Sequence, residues 1–406
     1  MTGGRMLTLE QAQERLLKLV TPLSIERVDM EGALGRYLAE PLFARRTQPA
    51  ADVSAMDGYA VASSDLAGPW HVIGESAAGH PYAETVVPGQ AVRISTGALL
   101  PAGADAVIVQ EDLARVDHHV TLTGDAPSPA GKHIRCRGMD FPEGREILPA
   151  GIRIGPAQAA LAIAAGHKHL PVCRMPRIAV IDSGDELAPD PETCEAHQVP
   201  ASNGVMLAAL ARTLPVEITR IGPVADHLDA LLAAFETAKD VDLVITSGGA
   251  SVGDHDLIRP ALEAWGARID FWRVAIKPGK PLLVAVKTAG ARQQIVLGLP
   301  GNPVSSLVTA YHFLLPVLRA MLGARSPLPL SFDACLAAPL PASSDRREFL
   351  RGLWDGATVT SHVLQDSGAL AALAASNVLI DRPAGMPAAK AGDPVRVYLL
   401  QNGGIA

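Results

Sequence analysis

At 406 residues, 48% hydrophobic and 19% charged, the chain is too long for one ordinary core and too apolar for disorder, so roughly two to four domains are expected. Aromatics at 4%, a net charge of −7 and a pI near 5.9 argue against a nucleic-acid surface, so any bound anion needs a local cationic site. The four cysteines, Cys136, Cys173, Cys194 and Cys335, are scattered with no CxxC pair and read as reduced thiols of a cytoplasmic protein.

The opening MTGGRMLTLEQAQERLLKLV lacks the apolar core of a signal peptide. No apolar run approaches the ~18 residues of a membrane helix. Thr8-Leu9-Glu10-Gln11 is a capping box, with Leu9, Ala12, Leu16 and Val20 at helical spacing behind it, which predicts an amphipathic helix ending before Pro22. Short β-rich runs follow between Arg46 and Met139: Tyr59 to Ala62, Trp70 to Ile73, Ala91 to Ser95, Ala106 to Val109 and His119 to Leu122. Gly and Pro turns separate them, as in a compact β domain. Ile134 to Phe141 places Arg135 and Arg137 near Asp140, as a structural ion pair or as an anion site. An alanine-rich helix, Ala157 to Ala165, could rejoin the opening helix as one helical domain interrupted by the β insertion.

From Pro176 to about Gly323 strand and helix patterns alternate. The apolar strands are Ile178 to Ile181, Val216 to Ile221, Val241 to Ile245, Leu282 to Val286 and Ile295 to Leu297. Leu228, Leu231, Leu232 and Phe235 mark one buried helix face between them. The alternation predicts a doubly wound, mostly parallel sheet, and beyond Pro327-Leu328-Pro329 short strands return, ending at Pro394 to Leu400. The expected fold is therefore multidomain α/β and β. Residues 1–45 with 140–175 form a discontinuous helical linking domain around an inserted β domain, 46–139. An α/β domain spans 176–326 and a small C-terminal β-barrel domain 327–406.

Loops after parallel strands share one sheet edge, where ligands of such folds bind. Asp182-Ser183-Gly184-Asp185-Glu186 supplies three carboxylates, suited to a hard cation, to donors on a polar heterocycle, or merely to capping a helix. Val241 to Asp256 runs from a strand through Ser247, Gly248 and Gly249 to Ser251, Gly253, Asp254 and Asp256, a glycine loop opening a helix. Lys277-Pro278-Gly279-Lys280-Pro281 holds two ammonium groups in a stiff turn, for which a bound oxyanion is the natural neutraliser. In Pro300-Gly301-Asn302-Pro303, Asn302 suits an N-cap and Pro303 the first helical position, with Pro316 kinking the helix further on.

SAMDGYA, RISTG, IRCRGMDF, DSGDEL, SGGASVGDHD, FWRVAIKPGKP and LPGNPVSS occur in the order and spacing of the molybdopterin molybdenumtransferases, the MoeA and gephyrin E-domain family. The resemblance runs from about Leu7 to Leu400. It implies insertion of molybdenum from molybdate into adenylylated molybdopterin, assisted by Mg²⁺ and releasing AMP, in a homodimer whose active cleft lies between subunits. An upstream molybdopterin adenylyltransferase and downstream molybdoenzyme chaperones are implied partners; neither nucleic acid nor membrane is.

By the same resemblance Lys277, Lys280, Pro281, Arg351 and Ser367 look like the molybdate pocket. Glu186, Asp226, Asp254 and Asp256 resemble the acids that bind substrate or metal, with Glu186, Asp254 and Asp256 the Mg²⁺ candidates. Ser183, Gly184, Asp185, Ser247, Gly248, Gly249, Ser251, Gly253, Pro300, Gly301, Asn302 and Pro303 would line the molybdopterin-AMP site. Asp57, Thr96 and Asp140 match activity positions across the dimer cleft. Val53 stands where the family often has Asn, which puts hydrogen bonding around Asp57 in doubt; Ala250 and Ser202-Asn203 are milder departures. Two other readings remain: a non-catalytic molybdopterin-binding scaffold, and a serine hydrolase with a nucleophile elbow at Gly249-Ala250-Ser251-Val252-Gly253 completed by Asp270 and His312.

Overall fold

The computed structural model describes residues 6–248, 257–290 and 292–400. The opening helix spans Leu9–Leu17 and starts as its capping box predicts: Gln11 N donates to Thr8 Oγ1 at 3.3 Å, and Thr8 N to Gln11 Oε1 at 3.0 Å. Its apolar stripe of Leu9, Ala12 and Leu16 is buried in the core of the α/β unit. It does not join the alanine-rich helix, Pro156–Ala164, whose Ala162 packs in a separate cluster with Leu38, Leu42 and Leu170. Alanine gives that helix little apolar bulk, whereas Leu9 and Leu16 reach a deep core. The segments flanking the insertion are tied instead by strands Ile25–Asp29 and His169–Cys173, paired antiparallel.

The insertion is a six-stranded sheet ordered Ala106–Val109, Gly58–Val61, Gln90–Ile94, Trp70–Ser76, His119–Leu122, Leu113–Val116. Gly58 is required where it sits, since a Cβ there would lie 2.0 Å from Ile108 O.

The α/β sheet is ordered Glu217–Val224, Arg177–Ser183, Leu243–Ser247, Arg292–Leu299, Leu283–Ala289, Arg268–Trp272. The first four strands are parallel; Leu283–Ala289 runs antiparallel to both its neighbours, Arg292–Leu299 and Arg268–Trp272. The step from Ala289 to Arg292 is too short for a parallel crossover, so a hairpin is forced. Helix Leu228–Thr237 covers the sheet with Leu231, Ala234 and Phe235, while Leu228 at its start stays 40% exposed.

A continuous helix, Pro303–Met321, is long and apolar enough to cross a membrane, contrary to the sequence expectation, but 89% of it is buried inside the protein. Its middle, Ala310–Leu314, is π-helical rather than simply kinked. Pro316 has no N–H to offer His312 O, and Gln13 Nε2 takes that carbonyl instead at 2.9 Å.

The C-terminal strands close into a barrel, ordered Arg347–Trp354, Thr358–Ser361, Phe332–Leu336, Pro394–Leu399, Val378–Arg382 and back to the first. The short strand Ile276–Lys277 of the α/β unit pairs in parallel along its outside, Ile276 opposite Arg347 and Lys277 opposite Glu348.

Candidate active site

Parallel register sets the carboxyl ends of three strands side by side, Asp182 opposite Ser247 and Ser247 opposite Leu299. The loops that follow therefore share one edge and line a cleft of about 950 Å³. Ser183, Glu186, Ser247, Gly248, Gly301 and Asn302 are among its walls, with Pro281, Pro300 and Pro303. Gly248 has φ 104°, and a Cβ there would lie 2.5 Å from Ser183 O, so glycine is what lets the loops approach. Asn203 Nδ2 donates to Gly301 O at 2.6 Å, fixing the opposite wall. Asn302 is the N-cap and Pro303 the first residue of the next helix, though the Asn302 side chain makes no capping hydrogen bond.

Around this edge, Asp182 Oδ1, Ser183 Oγ, Thr246 Oγ1 and Ser306 Oγ are buried without a hydrogen-bond partner. Such atoms are costly unless something polar meets them. Burial pushes the Asp182 carboxyl up to about 6. Of the acids Asp185, Glu186 and Asp226 only Glu186 is a wall of the cleft, and Asp226 N donates to Asp185 Oδ1 at 3.0 Å. Burial, then the charges of Asp185 and Glu186, raise the Asp226 carboxyl above its ordinary range. Gly184, just before Asp185 and Glu186, has φ 150°, and a Cβ there would lie 2.5 Å from Glu186 Oε2. No group of three or more His, Cys, Asp or Glu is gathered for a metal among the described residues. Gly249, Ser251, Gly253, Asp254 and Asp256 lie outside the described residues.

A second cavity, about 370 Å³, shares Pro281 and Ser305 with the cleft and sits where the α/β unit meets the barrel. Lys277, Lys280, Arg346, Arg351, Glu348 and Ser367 line it. Gly279 turns the lysine loop at φ 101°, and a Cβ there would lie 2.4 Å from Thr309 Oγ1. Arg351 is 0% exposed. Its Nη2 donates to Leu364 O at 3.1 Å and Asp366 O at 3.0 Å, while Nε and Nη1 have no partner. Burial lowers its pKa. Lys277 Nζ meets Glu348 Oε1 at 3.1 Å. Val304 N, in the first turn of the Pro303 helix, donates to Ser367 O at 3.1 Å and joins the two walls.

Asp57, Thr96 and Asp140 line neither space. Asp57 Oδ1 does accept Thr96 N at 2.6 Å and Thr96 Oγ1 at 3.1 Å, so the doubt raised by Val53 is answered by Thr96. Those hydrogen bonds hold the Asp57 carboxyl below its ordinary range. Asp140 is exposed and has neither Arg135 nor Arg137 as partner; Arg137 N goes to Asp52 Oδ1 at 2.7 Å. The hydrolase reading fails on its partners. Asp270 pairs with Arg15 at 2.7 Å, and His312 is sealed against Phe349, ring centroids 4.1 Å apart, where burial drives its pKa to about 3.

Sequence reading missed Asn203, Leu370, Arg346, Glu348, Gln365 and Asp366 in these walls. For Glu348 the signal was present, an acid three residues before Arg351, but its partner Lys277 is 71 positions away.

Three families match in succession along the chain: the MoeA N-terminal region (domain I and II) over residues 7–166, the probable molybdopterin binding domain over 179–320, and the MoeA C-terminal region (domain IV) over 333–400. A relative from Haemophilus influenzae named molybdopterin molybdenumtransferase is 35% identical over 354 residues, covering 86% of each chain. One of the same name from Synechococcus elongatus is 35% identical over 414 residues, covering 97% of this chain and 100% of that one. The crystal structure of a molybdopterin biosynthesis moeA protein from Pyrococcus horikoshii OT3 superposes with TM-score 0.83 at 26% identity, over 98% of this chain and 100% of that one. With its sheet edge, its closed barrel and these matches along its whole length, the chain belongs to the molybdopterin molybdenumtransferases, transferases of molybdenum cofactor biosynthesis.

Proposed function

We propose that the 370 Å³ cavity binds molybdate and the adjoining cleft binds adenylylated molybdopterin, and that the protein joins them with release of AMP. The observation that carries this is Arg351. A fully buried guanidinium with two unpartnered N–H groups, beside Lys277 and Lys280, is unstable unless an anion satisfies it. The shared wall at Pro281 and Ser305 puts that anion next to the cleft whose glycine loop admits a phosphate ester closely. A molybdate oxygen then attacks the adenylyl phosphorus and the phosphoanhydride P–O bond breaks; the two dithiolene sulfurs of molybdopterin take the molybdenum, AMP leaves carrying the attacking oxygen, and the thiol protons leave with a second molybdate oxygen as water. Lys280 and Arg351 orient the molybdate, Ser367 flanks it, and the two cations stabilise charge developing on the transferred oxygens.

Mg²⁺ assistance is part of the same proposal. Oxygen donors suit a hard dication, and the charges of Asp185 and Glu186 add to burial in raising the Asp226 carboxyl, a repulsion that a cation would relieve. We assign Glu186 to the ion together with Asp254 and Asp256; bound there, it would neutralise phosphoanhydride charge. Asp57, Thr96 and Asp140 are supplied to the cleft by a second copy of the chain.

Mixing the protein with adenylylated molybdopterin, molybdate and Mg²⁺ should release AMP only when molybdate is present. AMP release indifferent to molybdate would mean hydrolysis without transfer, and no AMP release would leave a molybdopterin-binding scaffold; either would sink the proposed reaction. Lys280→Ala should raise the KM for molybdate by about tenfold or more, with adenylylated molybdopterin binding unchanged. Equal loss of both would mean that Lys280 serves the pterin substrate instead.

A further inference from the structure

The oxyanion cavity contains a feature that works against anion binding. Glu348 is a wall of it, 9% exposed. One of its oxygens, Oε1, accepts three donors: Ser344 Oγ at 2.8 Å, Lys277 Nζ at 3.1 Å and Ser344 N at 3.3 Å. Burial opposes its ionisation, but the hydrogen bonds from Ser344 and Lys277 outweigh burial and keep the carboxyl below its ordinary range. Ser344 thus fixes the carboxylate from its own segment of chain, while the strand ladder places Lys277 opposite Glu348 by register. Lys277 is the exposed partner, its side chain 53% exposed against 11% for Glu348.

A pocket built only for retention would have no such acid. An anion entering it must share Lys277 with a carboxylate that cannot move away, and both the competition and the like-charge repulsion weaken its hold. Weak ground-state retention is useful for a reactant that must be handed on, because tight binding of the ground state lowers KM without raising kcat.

Resting on the oxyanion reading above, we infer that Glu348 is a positioning residue and built-in counter-anion, which ties Lys277 and keeps the bound oxyanion loosely held so that it can be transferred. Glu348 acts through Lys277 and through its field, and touches no reacting atom.

The test is equilibrium dialysis of the full-length protein against molybdate, with bound metal counted by mass spectrometry. Glu348→Gln keeps the shape and the Ser344 hydrogen bonds and removes the charge. It should tighten molybdate binding by about tenfold or more, and tighten perrhenate, a monoanion of the same shape, by only about the square root of that factor, because the Coulomb gain scales with ligand charge. In turnover the KM for molybdate should fall without a rise in kcat.

If Glu348 served only to orient Lys277 towards the anion, the substitution would weaken binding. An unchanged or weaker constant, or equal gains for both anions, overturns the inference. Should Glu348→Gln fail to fold, Glu348→Asp retracts the charge by one methylene and must shift binding in the same direction by a smaller factor; the opposite sign is equally fatal. Wild-type protein that binds neither anion overturns the oxyanion pocket itself, whereas binding by the wild type with no gain in the variant overturns the counter-anion alone.

Discussion

The carboxyl of Asp182 is closed in between the end of its strand and Gly204, where a Cβ would stand 1.9 Å from its Oδ2. It is 4% exposed and its Oδ1 has no partner. Its pKa rises from 3.8 to about 6 by burial, so the folded protein holds a proton that the unfolded chain has already released. Stability therefore falls as pH climbs between those two values, and the full cost, about 3 kcal/mol, is present above pH 6. Asp182→Asn should be more stable than the wild type at pH 7 by up to about that amount and should flatten the dependence between pH 4 and 6. Urea denaturation of both proteins across that range checks it; an advantage of the variant over the wild type that shrinks as pH climbs through the window would show the reverse assignment. The sequence offers this acid, with Asp185 and Glu186, equally to a hard cation, to donors on a polar heterocycle or to a helix cap. Residue order alone could not separate Asp182, which is buried in the cleft wall, from Asp185 and Glu186, which stay exposed. Alternation along a strand separates them only once the end of the strand is known.

At the level of the element, the helix Pro303–Met321 shows what a local signal can and cannot carry. Pro316 announces a break in the hydrogen-bond ladder, and the disturbance is there, as the π turn at Ala310–Leu314. The group that repairs it, Gln13, lies 299 positions away on the opening helix, where it reads as just another polar residue. Gln13→Leu keeps the volume but removes the Gln13 donor from the buried His312 O, which should cost about 1–3 kcal/mol. A denaturation midpoint unmoved by this change would show that another donor replaces Gln13. The capping box at Thr8 and the strands Arg177–Ser183 and Leu243–Ser247 were legible because neighbours in the chain decide them. Arg268–Trp272 and Ile276–Lys277 were not, since their pairing partners, not their own patterns, make them strands.

Across the whole molecule, the cleft walls at Ser183, Ser247, Gly248 and Pro300 to Pro303 could be anticipated, because parallel strands deliver their following loops to one edge. The second cavity could not be read from pattern, because it forms only where the lysine turn meets the barrel, and Arg351 entered through family resemblance. If Asp57 completes the cleft of a second copy, Asp57→Asn and Arg351→Ala should each be inactive alone. Mixed after dissociation, they should recover about a quarter of wild-type activity, since half the dimers are hybrids with one intact site of two. No recovery, with hybrid dimers verified, would show that Asp57 and Arg351 do not meet across two copies of the chain; full activity of Asp57→Asn alone would place Asp57 outside the reaction. A last consequence concerns how the chain can be cut. Phe349, Leu379 and Tyr398 of the barrel share one core with Phe313, Leu314 and the opening Leu9 and Leu16, and Tyr311 Oη donates to Leu399 O at 2.9 Å. The inserted sheet, by contrast, keeps its apolar residues in clusters of its own. Severing the chain after Ser326 therefore strands Tyr311 and Phe313 in water, and the two pieces will stay soluble only when made together.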